Sequence, residues 1–344
     1  MTRHNFLFFL ILCLALFLRF FYLGKIPNGF YSDEAAYGYN AYSILMTGKD
    51  EYGTPIPFAF KSFGDYKAPL YIYALAPVIW LFGLSEASVR LLSALLGVIL
   101  VILVYFLTKE IFKRDSYALL SAYLISVLPF GLQFNRMAHE NNLVVVFITG
   151  GVLLFLLSVK YRYSIILSFI SFVGSIYTYH DAKVFTPLII IVLFVLFRKS
   201  LWQNRRNVFI GIITALILLV PFISTLQSEA FWSRPRYTHI LSDGGLTLET
   251  NQERGENQKS NFFAPFLFHN KVLASSKKFF ENYLSQYSFT FLFFTGDSVK
   301  LYQTPGNGLF FPILIPFFLL GIYFLFKKDI PHKRLIFMWF ILAG

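Results

Sequence analysis

The residues with the most chemical potential lie in short polar segments between long apolar runs. Asp33 and Glu34 are adjacent acids at the expected start of a helix, where neighbouring side chains diverge by about 100°. One carboxylate could accept a proton from a hydroxyl group while the other holds a different partner. Acids in a first helical turn also stabilise the helix dipole without any catalytic role, and this pair alone does not decide between the two interpretations.

Three cations flank apolar runs in the same part of the sequence: Lys67, Arg90 and Arg136. A phosphate ester needs several cationic or N–H donors around it, so these residues are candidates for a phosphate-binding site. Cations at the ends of membrane spans also extend towards the lipid headgroups for purely structural reasons. Both interpretations stay open at this point.

Two further polar segments could complete a site. His139 and Glu140 form one, with Glu140 as a second carboxylate facing the first. Tyr179, His180 and Asp181 form the other and are candidate substrate contacts. A solvated loop acid and an aromatic belt at the membrane surface are the commoner explanations of such segments. A divalent metal could bind among these groups, but no ligand spacing requires one, so the cofactor stays unassigned.

The composition indicates where these segments lie. Of 344 residues, 56% are hydrophobic and 14% are charged, whereas a soluble domain carries roughly 25% charged residues. The charges are concentrated in short gaps, as in membrane helices joined by loops. The net charge of +12 does not indicate nucleic acid, because Lys and Arg flank apolar runs. The single cysteine, Cys13, permits neither an internal disulfide nor a Cys/His zinc pattern.

Nine apolar runs are predicted to cross the membrane, within a single polytopic domain covering residues 1–344. They are 6–23, 89–107, 117–134, 142–158, 164–177, 184–197, 208–224, 309–326 and 335–344. The first is expected to be retained rather than cleaved as a signal peptide. The last stops within an apolar stretch, so the natural chain is expected to continue past Gly344.

Every second gap is basic, which predicts a cytoplasmic N-terminus under the positive-inside rule. The basic residues are Arg3, Lys109, Lys113, Arg114, Lys160, Arg162, Arg198, Lys199, Arg205, Arg206, Lys327, Lys328, Lys333 and Arg334. The remaining gaps would then be external: 24–88, 135–141, 178–183 and 225–308. Apart from Arg90 at an outer end, the spans between residues 89 and 326 contain no ionisable Asp, Glu, Lys, Arg or His. Pumps and ion-coupled transporters usually need such groups, so a site at the outer surface is favoured.

Two segments of the first external loop are predicted to be helices lying at the membrane surface. Residues 69–82 are too short for a span and contain two prolines, and counting them as a span would invert the charge pattern of all later loops. Residues 33–47 follow Ser32 as the expected N-cap and end before Gly48. Tyr37 on this helix is a further candidate substrate contact.

The large external loop is predicted to have two parts. Its polar centre, 242–262, is expected to be mobile. Residues 271–294 are more helical and aromatic in pattern and are expected to lie on the membrane.

Four segments in order carry a family resemblance. They read NGFYSDEAAYGYNAYSILMTGKDEYG, GDYKAPLYIYALAPVIWLFGLSEASVRLLSALLG, QFNRMAHENNL and YTYHDAKVFTPL. Together they resemble the bacterial membrane glycosyltransferases of the family 39 type, related to protein O-mannosyltransferases and to the aminoarabinose transferase of lipid A. The resemblance implies an all-α GT-C fold with juxtamembrane helices, in the plasma (inner) membrane. It also implies an extracytoplasmic site and a polyprenyl-phosphate sugar donor.

The resemblance also suggests roles for individual residues. Asp33 matches the first acid of the family and is the expected general base. Lys67 opens an element that matches the family's Lys-Pro-Pro-Leu with one proline replaced by alanine, and Arg90 matches the family's Arg at the next span. Arg136 matches a phosphate-contacting Arg. The family usually has an Asp shortly after that Arg, whereas the nearest acid here is Glu140.

The expected reaction is a single displacement that inverts the sugar's anomeric centre and uses a hydroxyl acceptor on a protein, lipid or glycan. Membrane lipids are the surrounding partners, and no nucleotide is expected because no Gly-rich nucleotide loop occurs. A polyprenyl-phosphate-sugar flippase and a non-catalytic family member are the alternatives. The sequence specifies neither the sugar nor the acceptor.

Overall fold

The computed structural model describes residues 3–225, 232, 245, 248, 250–252, 270–299, 301–304 and 306–343. The predicted mobile centre, 242–262, lies almost entirely outside these residues. Up to residue 225 the elements are α1 (Arg3–Phe20), α2 (Ser32–Thr47), β1 (Phe60–Ser62), β2 (Asp65–Lys67), α3 (Pro69–Phe82), α4 (Glu86–Phe112), α5 (Asp115–Val127), α6 (Pro129–Asn135), α7 (Asn141–Leu157), α8 (Ser164–Ile176), α9 (Ala182–Leu196), α10 (Arg198–Gln203) and α11 (Arg205–Thr225). The later elements are α12 (Lys271–Ser285), a π-helix (Thr290–Thr295), a 3₁₀ helix (Pro312–Leu314), α13 (Ile315–Lys327) and α14 (Lys333–Leu342).

The helices have the character of a membrane protein. α1, α4 and residues 205–223 of α11 are each long and apolar enough to cross a bilayer. α5 and α6 would make a fourth span if taken together. α3, α7, α8, α9 and the segment Pro312–Lys327 are apolar but shorter. Many large apolar side chains on these helices face outward, as expected for contact with lipid. The chain is therefore an integral membrane protein with an almost entirely helical fold.

The predicted span 117–134 is not one continuous helix. α5 and α6 meet at an angle of 59°, and Pro129 is the reason, because proline has no N–H to donate to the carbonyl of Ile125. The fully buried Arg19 of α1 compensates at this break. Its guanidinium donates to the carbonyls of Ile125 and Ser126, each at 3.1 Å, and to Asn135 Oδ1 at 2.9 Å.

Gly97 of α4 packs against the buried Arg19–Asn135 contact, where a larger residue would not fit. A Cβ at position 97 would lie 2.4 Å from the Asn135 side chain and 2.6 Å from Arg19 Nε. We expect Gly97→Ala to lower the free energy of unfolding by about 1–3 kcal/mol, since a well-packed site cannot absorb the added methyl group. Thermal unfolding in detergent measures this. Gly150→Ala in α7 is the control, because a Cβ there would meet side-chain atoms at 3.7 Å or more. Equal losses in both variants would contradict the argument.

The helix predicted over 33–47 is present as α2, but it begins differently in detail. Tyr31, rather than Ser32, is the N-cap residue of α2. The peptide N–H of Tyr31 donates to Glu34 Oε2 at 3.4 Å. At its other end α2 stops at Gly48, whose φ of 69° lies in the left-handed region that glycine adopts readily. This local geometry places Asp33 and Glu34 in the first helical turn.

A short β-hairpin, absent from the all-helical expectation, precedes α3. β1 and β2 are antiparallel, with Phe60 opposite Lys67 and Ser62 opposite Asp65. The connecting residues, Phe63 and Gly64, both have positive φ (45° and 84°), as in a tight two-residue hairpin turn. Lys67 thus ends β2 two residues before Pro69 begins α3. The predicted helix over 69–82 is confirmed, and it packs on α2 and α4 through a shared buried cluster.

The bundle has two chemically different ends. Asp33, Lys67 and Arg90 lie at one end, near the start of α4, and this end is called the site end below. The opposite end, where α4 ends, is called the basic end below. Lys113, which follows α4, lies close to His332 there. His332 in turn contacts Phe197 at the end of α9. The basic gaps recognised in the sequence are therefore grouped in space, away from the candidate site.

Candidate active site

The site is centred on an ion pair between the first turn of α2 and the end of β2. Asp33 Oδ2 lies 3.1 Å from Lys67 Nζ. The Asp33 side chain is 27% exposed and that of Lys67 is 8% exposed. An accessible carboxylate beside a largely buried ammonium provides a proton acceptor and a positive charge within one small volume. The structure therefore brings together the two residues to which the sequence analysis gave complementary roles.

The neighbouring acid, Glu34, has a different environment. Its carboxylate makes a two-pronged contact with Arg90, both bonds measuring 2.9 Å, and both side chains are almost completely buried. Glu34 Oε1 also accepts the N–H of Ala138 at 2.8 Å. Arg90 donates further to the carbonyls of Leu23 (3.4 Å), Pro27 (3.1 Å) and Gly29. The pair therefore joins three separate chain segments: the first loop, α4 and the loop before α7.

These contacts argue against two expected roles. An arginine side chain has five N–H donors, and each of those of Arg90 is used within the chain, so none points towards a donor phosphate. Glu34 is equally occupied, which leaves it unsuited to position an acceptor or sugar. We assign the Glu34–Arg90 pair instead to holding the loop that presents Asp33.

Arg136, unlike Arg90, uses only some of its N–H donors within the described part of the chain. Its guanidinium donates to the carbonyls of Leu18, Phe21 (2.6 Å) and Ile26 (3.2 Å), at and just beyond the C-terminal end of α1. Carbonyls at a helix end lack partners within the helix, so this contact caps α1. Among the residues that the structure describes, the buried Nε of Arg136 has no hydrogen-bond partner. Of the five N–H donors, those of Nε and one on Nη1 are thus unused within the described residues, so Arg136 stays a candidate for the phosphate site.

Tyr31 links the carboxylates in one electrostatic cluster. Its hydroxyl donates to the carbonyl of Ala138 at 2.9 Å. Burial raises the pKa of Tyr31 well above its usual range, and the nearby Glu34, Tyr302, Asp33 and Glu140 add to this rise. The phenol therefore stays protonated and remains a donor at any pH at which the carboxylates are ionised. Glu140, which is 2% exposed, is one of the carboxylates that act on Tyr31.

His139 lies beside the cluster rather than in solvent. It is 6% exposed, and its peptide N–H donates to Ser93 Oγ at 3.2 Å. Its ring centroid lies 5.6 Å from that of Tyr302 and 6.2 Å from that of Tyr179. These rings form an aromatic wall next to the carboxylates, a surface on which a sugar ring can pack.

The third polar segment supports the hairpin that carries Lys67. His180 Nε2 lies 2.9 Å from the carbonyl oxygen of Tyr66, and since a carbonyl only accepts, Nε2 carries the proton. His180 Nδ1 then accepts from Lys183 Nζ at 3.2 Å. His180 was expected to contact substrate, whereas this geometry makes it a support for β2. Asp181 occupies the N-cap position of α9.

Two aromatic residues differ from the expectation. Tyr37 is 1% exposed and packs edge-on against Tyr71, with ring centroids 5.1 Å apart. Its burial argues against the expected substrate contact. Tyr302 was missed, although it stacks on Phe134 at 5.3 Å beside His139. Its position depends on contacts between segments more than 160 residues apart, such as that of Gln133 with the carbonyl of Leu301, and no local pattern reveals those.

An apolar cavity of about 400 Å³ opens behind this aromatic wall. Its lining includes Phe134 and Tyr302, which contact the candidate site, and continues along Phe291, Phe310 and Phe340. A mostly aromatic cavity joined to a charged centre suits a ligand with a polar head and a hydrocarbon tail.

A multidentate metal centre is not evident. Within the described parts of the chain, no three His, Cys, Asp or Glu side chains are grouped closely enough to hold a metal ion.

Comparison with known proteins identifies the fold. Residues 66–224 match the sequence model of the family described as dolichyl-phosphate-mannose-protein mannosyltransferase. No curated protein matches the chain by sequence comparison.

Three solved structures are similar. ArnT from Cupriavidus metallidurans bound to undecaprenyl phosphate is 15% identical, with a TM-score of 0.54, over 83% of this chain and 51% of that one. The oligosaccharyltransferase of Archaeoglobus fulgidus in its apo form is 16% identical, with a TM-score of 0.59, over 98% and 46%. AglB from the same organism, with an inhibitory peptide and a dolichol-phosphate, is 15% identical, with a TM-score of 0.51, over 83% and 37%.

The chain spans about half, or less, of the length of these solved structures. Its helical architecture is similar to theirs. The family match begins at residue 66, so it covers Lys67, Arg90, the second loop and the third loop but not Asp33. The expected resemblance is confirmed for the fold, which is that of the GT-C membrane glycosyltransferases, and by sequence for residues 66–224, which hold the last three of the four segments almost completely.

Proposed function

We propose that the protein transfers a sugar from a polyprenyl-phosphate donor to a hydroxyl acceptor at the extracytoplasmic face of the membrane. The observation that carries the proposal is the Asp33–Lys67 pair, an accessible carboxylate 3.1 Å from a shielded ammonium. The buried Glu34–Arg90 pair holds the turn of α2 that carries Asp33. Proton acceptance and stabilisation of a leaving phosphate both need groups of this kind.

In the proposed step the acceptor oxygen bonds to the anomeric carbon while the bond from that carbon to the phosphate oxygen breaks. Asp33 takes the proton of the acceptor hydroxyl. The electron pair of the broken bond stays on the phosphate, where the positive charges of Lys67 and Arg136 stabilise the added negative charge. Attack opposite the leaving group inverts the anomeric centre. Glu140 is almost completely buried, so its proposed part is electrostatic, as one of the carboxylates that act on Tyr31.

The lipid part of the donor is supported by a second feature. The aromatic cavity of about 400 Å³ begins beside the candidate site and is lined mainly by apolar side chains. Two of the similar proteins were solved with a polyprenyl phosphate, undecaprenyl phosphate in ArnT and dolichol-phosphate in AglB. A polyprenyl chain in this cavity would leave its phosphate near Tyr302 and the carboxylate cluster.

The proposed orientation follows from charge. The basic residues gather at the end of the bundle opposite Asp33, and positively charged loops remain on the cytoplasmic side. The N-terminus before α1 would then be cytoplasmic, and Asp33 would face the outside of the plasma membrane.

The test is donor turnover by protein reconstituted in nanodiscs. A panel of radiolabelled polyprenyl-phosphate sugars is supplied, and loss of label from the lipid is followed with candidate hydroxyl acceptors present. Cleavage of one donor supports the proposal and identifies the sugar. If the protein instead moves intact lipid-linked sugar across liposomes without cleaving it, a flippase replaces the transferase.

Lys67→Gln is expected to lower kcat/KM for the lipid donor by about 100-fold, because the variant can still hydrogen-bond to Asp33 but lacks the charge that stabilises the phosphate. Lys61→Gln is the matched control, since Lys61 lies on the same hairpin with an exposed side chain. Donor turnover measured for both variants checks this. A Lys67→Gln enzyme as active as the control would remove Lys67 from the phosphate site.

A further inference from the structure

A second cavity lies at the basic end of the bundle, remote from the candidate active site. Its volume is about 450 Å³, and it is formed between the end of α9 and the turn from α13 to α14. Polar and charged side chains on this turn line it: Asp329, His332, Lys333 and Arg334. Neither the proposed sugar transfer nor the family match, which ends at residue 224, accounts for it.

The cavity is cationic. Lys333 and Arg334 supply two positive charges against the single negative charge of Asp329. The Asp329–Lys333 contact is 3.6 Å long and Asp329 is 99% exposed, so this pair is weak in water. Burial and Lys113 lower the pKa of the neighbouring His332, while Glu110, which is paired with Lys113, acts in the opposite direction, so the net positive charge of the cavity rests on Lys333 and Arg334. An anion entering this cavity would meet net positive charge.

An apolar cavity of about 260 Å³ adjoins the cationic one. The two share Leu196, Lys333 and Arg334, so the same two cations stand at their junction. The walls beyond the junction are hydrocarbon, including Phe326, Phe337 and Met338. One ligand could therefore place a negatively charged group at the junction and an alkyl chain in the apolar cavity.

We propose that this double cavity binds one anionic phospholipid, with its phosphate between Lys333 and Arg334 and an acyl chain against Phe337 and Met338. A free phosphate or a nucleic acid would leave the apolar half unfilled. A neutral lipid would leave the two cations unused. Basic pockets between membrane helices at the lipid headgroup level recognise acidic phospholipids by this combination of charge and hydrocarbon contact. The site stands independently of the proposed sugar transfer.

The test is retention of lipid by the full-length protein in detergent. Protein from nanodiscs of phosphatidylcholine with phosphatidylglycerol is washed and examined by native mass spectrometry. We expect about one phosphatidylglycerol per chain to be retained in preference to phosphatidylcholine. Replacing both Lys333 and Arg334 with glutamine should weaken phosphatidylglycerol binding by about 30-fold, from the usual contribution of two cations beside an acidic lipid.

Two further variants separate this site from a generally basic surface. Arg206→Gln removes an exposed charge in the first turn of α11, outside the cavity, and should leave retention unchanged. Met338→Trp should fill the apolar half and release the lipid while both cations remain. Equal lipid loss in Arg206→Gln, or full retention in the double variant, would overturn the proposal. Preferential retention of polyprenyl phosphate over phosphatidylglycerol would also overturn it and assign the cavity to a lipid carrier.

Discussion

Asp33→Asn is expected to lower the turnover number for sugar transfer by roughly 100- to 10,000-fold, the usual contribution of a positioned general base. The substitution keeps the size of the side chain and can still accept a hydrogen bond from Lys67, which now lies 3.1 Å away. Donor binding should therefore change little while the chemical step slows. Steady-state kinetics with the lipid donor separate these effects, because the loss should appear in kcat rather than in KM.

The control for Asp33 must exclude an effect on helix stability. Glu86→Gln provides it, because Glu86 is an exposed acid in the first turn of α4, just as Asp33 lies in the first turn of α2. Loss of favourable interaction with a helix dipole costs roughly 0.3–1 kcal/mol in either case. Both variants should stay folded, with a larger shift for Asp33→Asn because Lys67 also loses its carboxylate partner, while only Asp33→Asn loses activity. Near-normal transfer by Asp33→Asn would eliminate Asp33 as the base.

The sequence is informative where a structure depends on local chemistry. The start of α2 follows from its acids, its end from Gly48, and the helix over 69–82 from a proline at its first turn, since each feature acts within a few residues. The break at Pro129 also had a local signal, because proline within an apolar run interrupts a helix. These elements, with Asp33 and Lys67, could be proposed from the chain alone.

What the sequence does not specify are pairings between distant residues. Glu34 and Arg90 are 56 positions apart, and Arg19 and Asn135 are 116 apart. A single sequence shows each as an acid, amide or cation beside an apolar run, and nothing in the pattern says which of them meet. For this reason Arg90 was expected to bind phosphate, although the fold uses every one of its donors internally.

The two adjacent acids illustrate how environment separates chemically similar groups. Glu34 is buried and fully hydrogen-bonded to Arg90, whereas Asp33, one residue earlier, is 27% exposed beside a lysine. Divergent environments of neighbouring carboxylates are a common arrangement where one acts chemically and the other organises the site. Adjacent helical positions point about 100° apart, which allows one turn of α2 to serve both purposes.

Arg90→Met is expected to lower the free energy of unfolding by about 3–5 kcal/mol, because it leaves the Glu34 carboxylate buried without a cation. The substitution keeps an unbranched side chain but removes all five N–H donors. The carbonyls of Leu23, Pro27 and Gly29 also lose their partner, so the loop that presents Asp33 should loosen. Thermal unfolding in detergent, with sugar transfer measured below the transition, should show a loss of both stability and activity.

A double variant tests whether the uncompensated charge is the cause. Adding Glu34→Gln to Arg90→Met removes that charge and should restore about 1–3 kcal/mol, the range of coupling between contacting residues. Lys109→Met is the comparison, since its 2.7 Å pair with Asp115 is shorter but half exposed, and its loss should cost less than about 1 kcal/mol. Burial, rather than distance, would then determine the strength of the effect. If the double variant is no more stable than Arg90→Met alone, the cost arises from the orphaned carbonyls, and the pair matters chiefly as a backbone clamp.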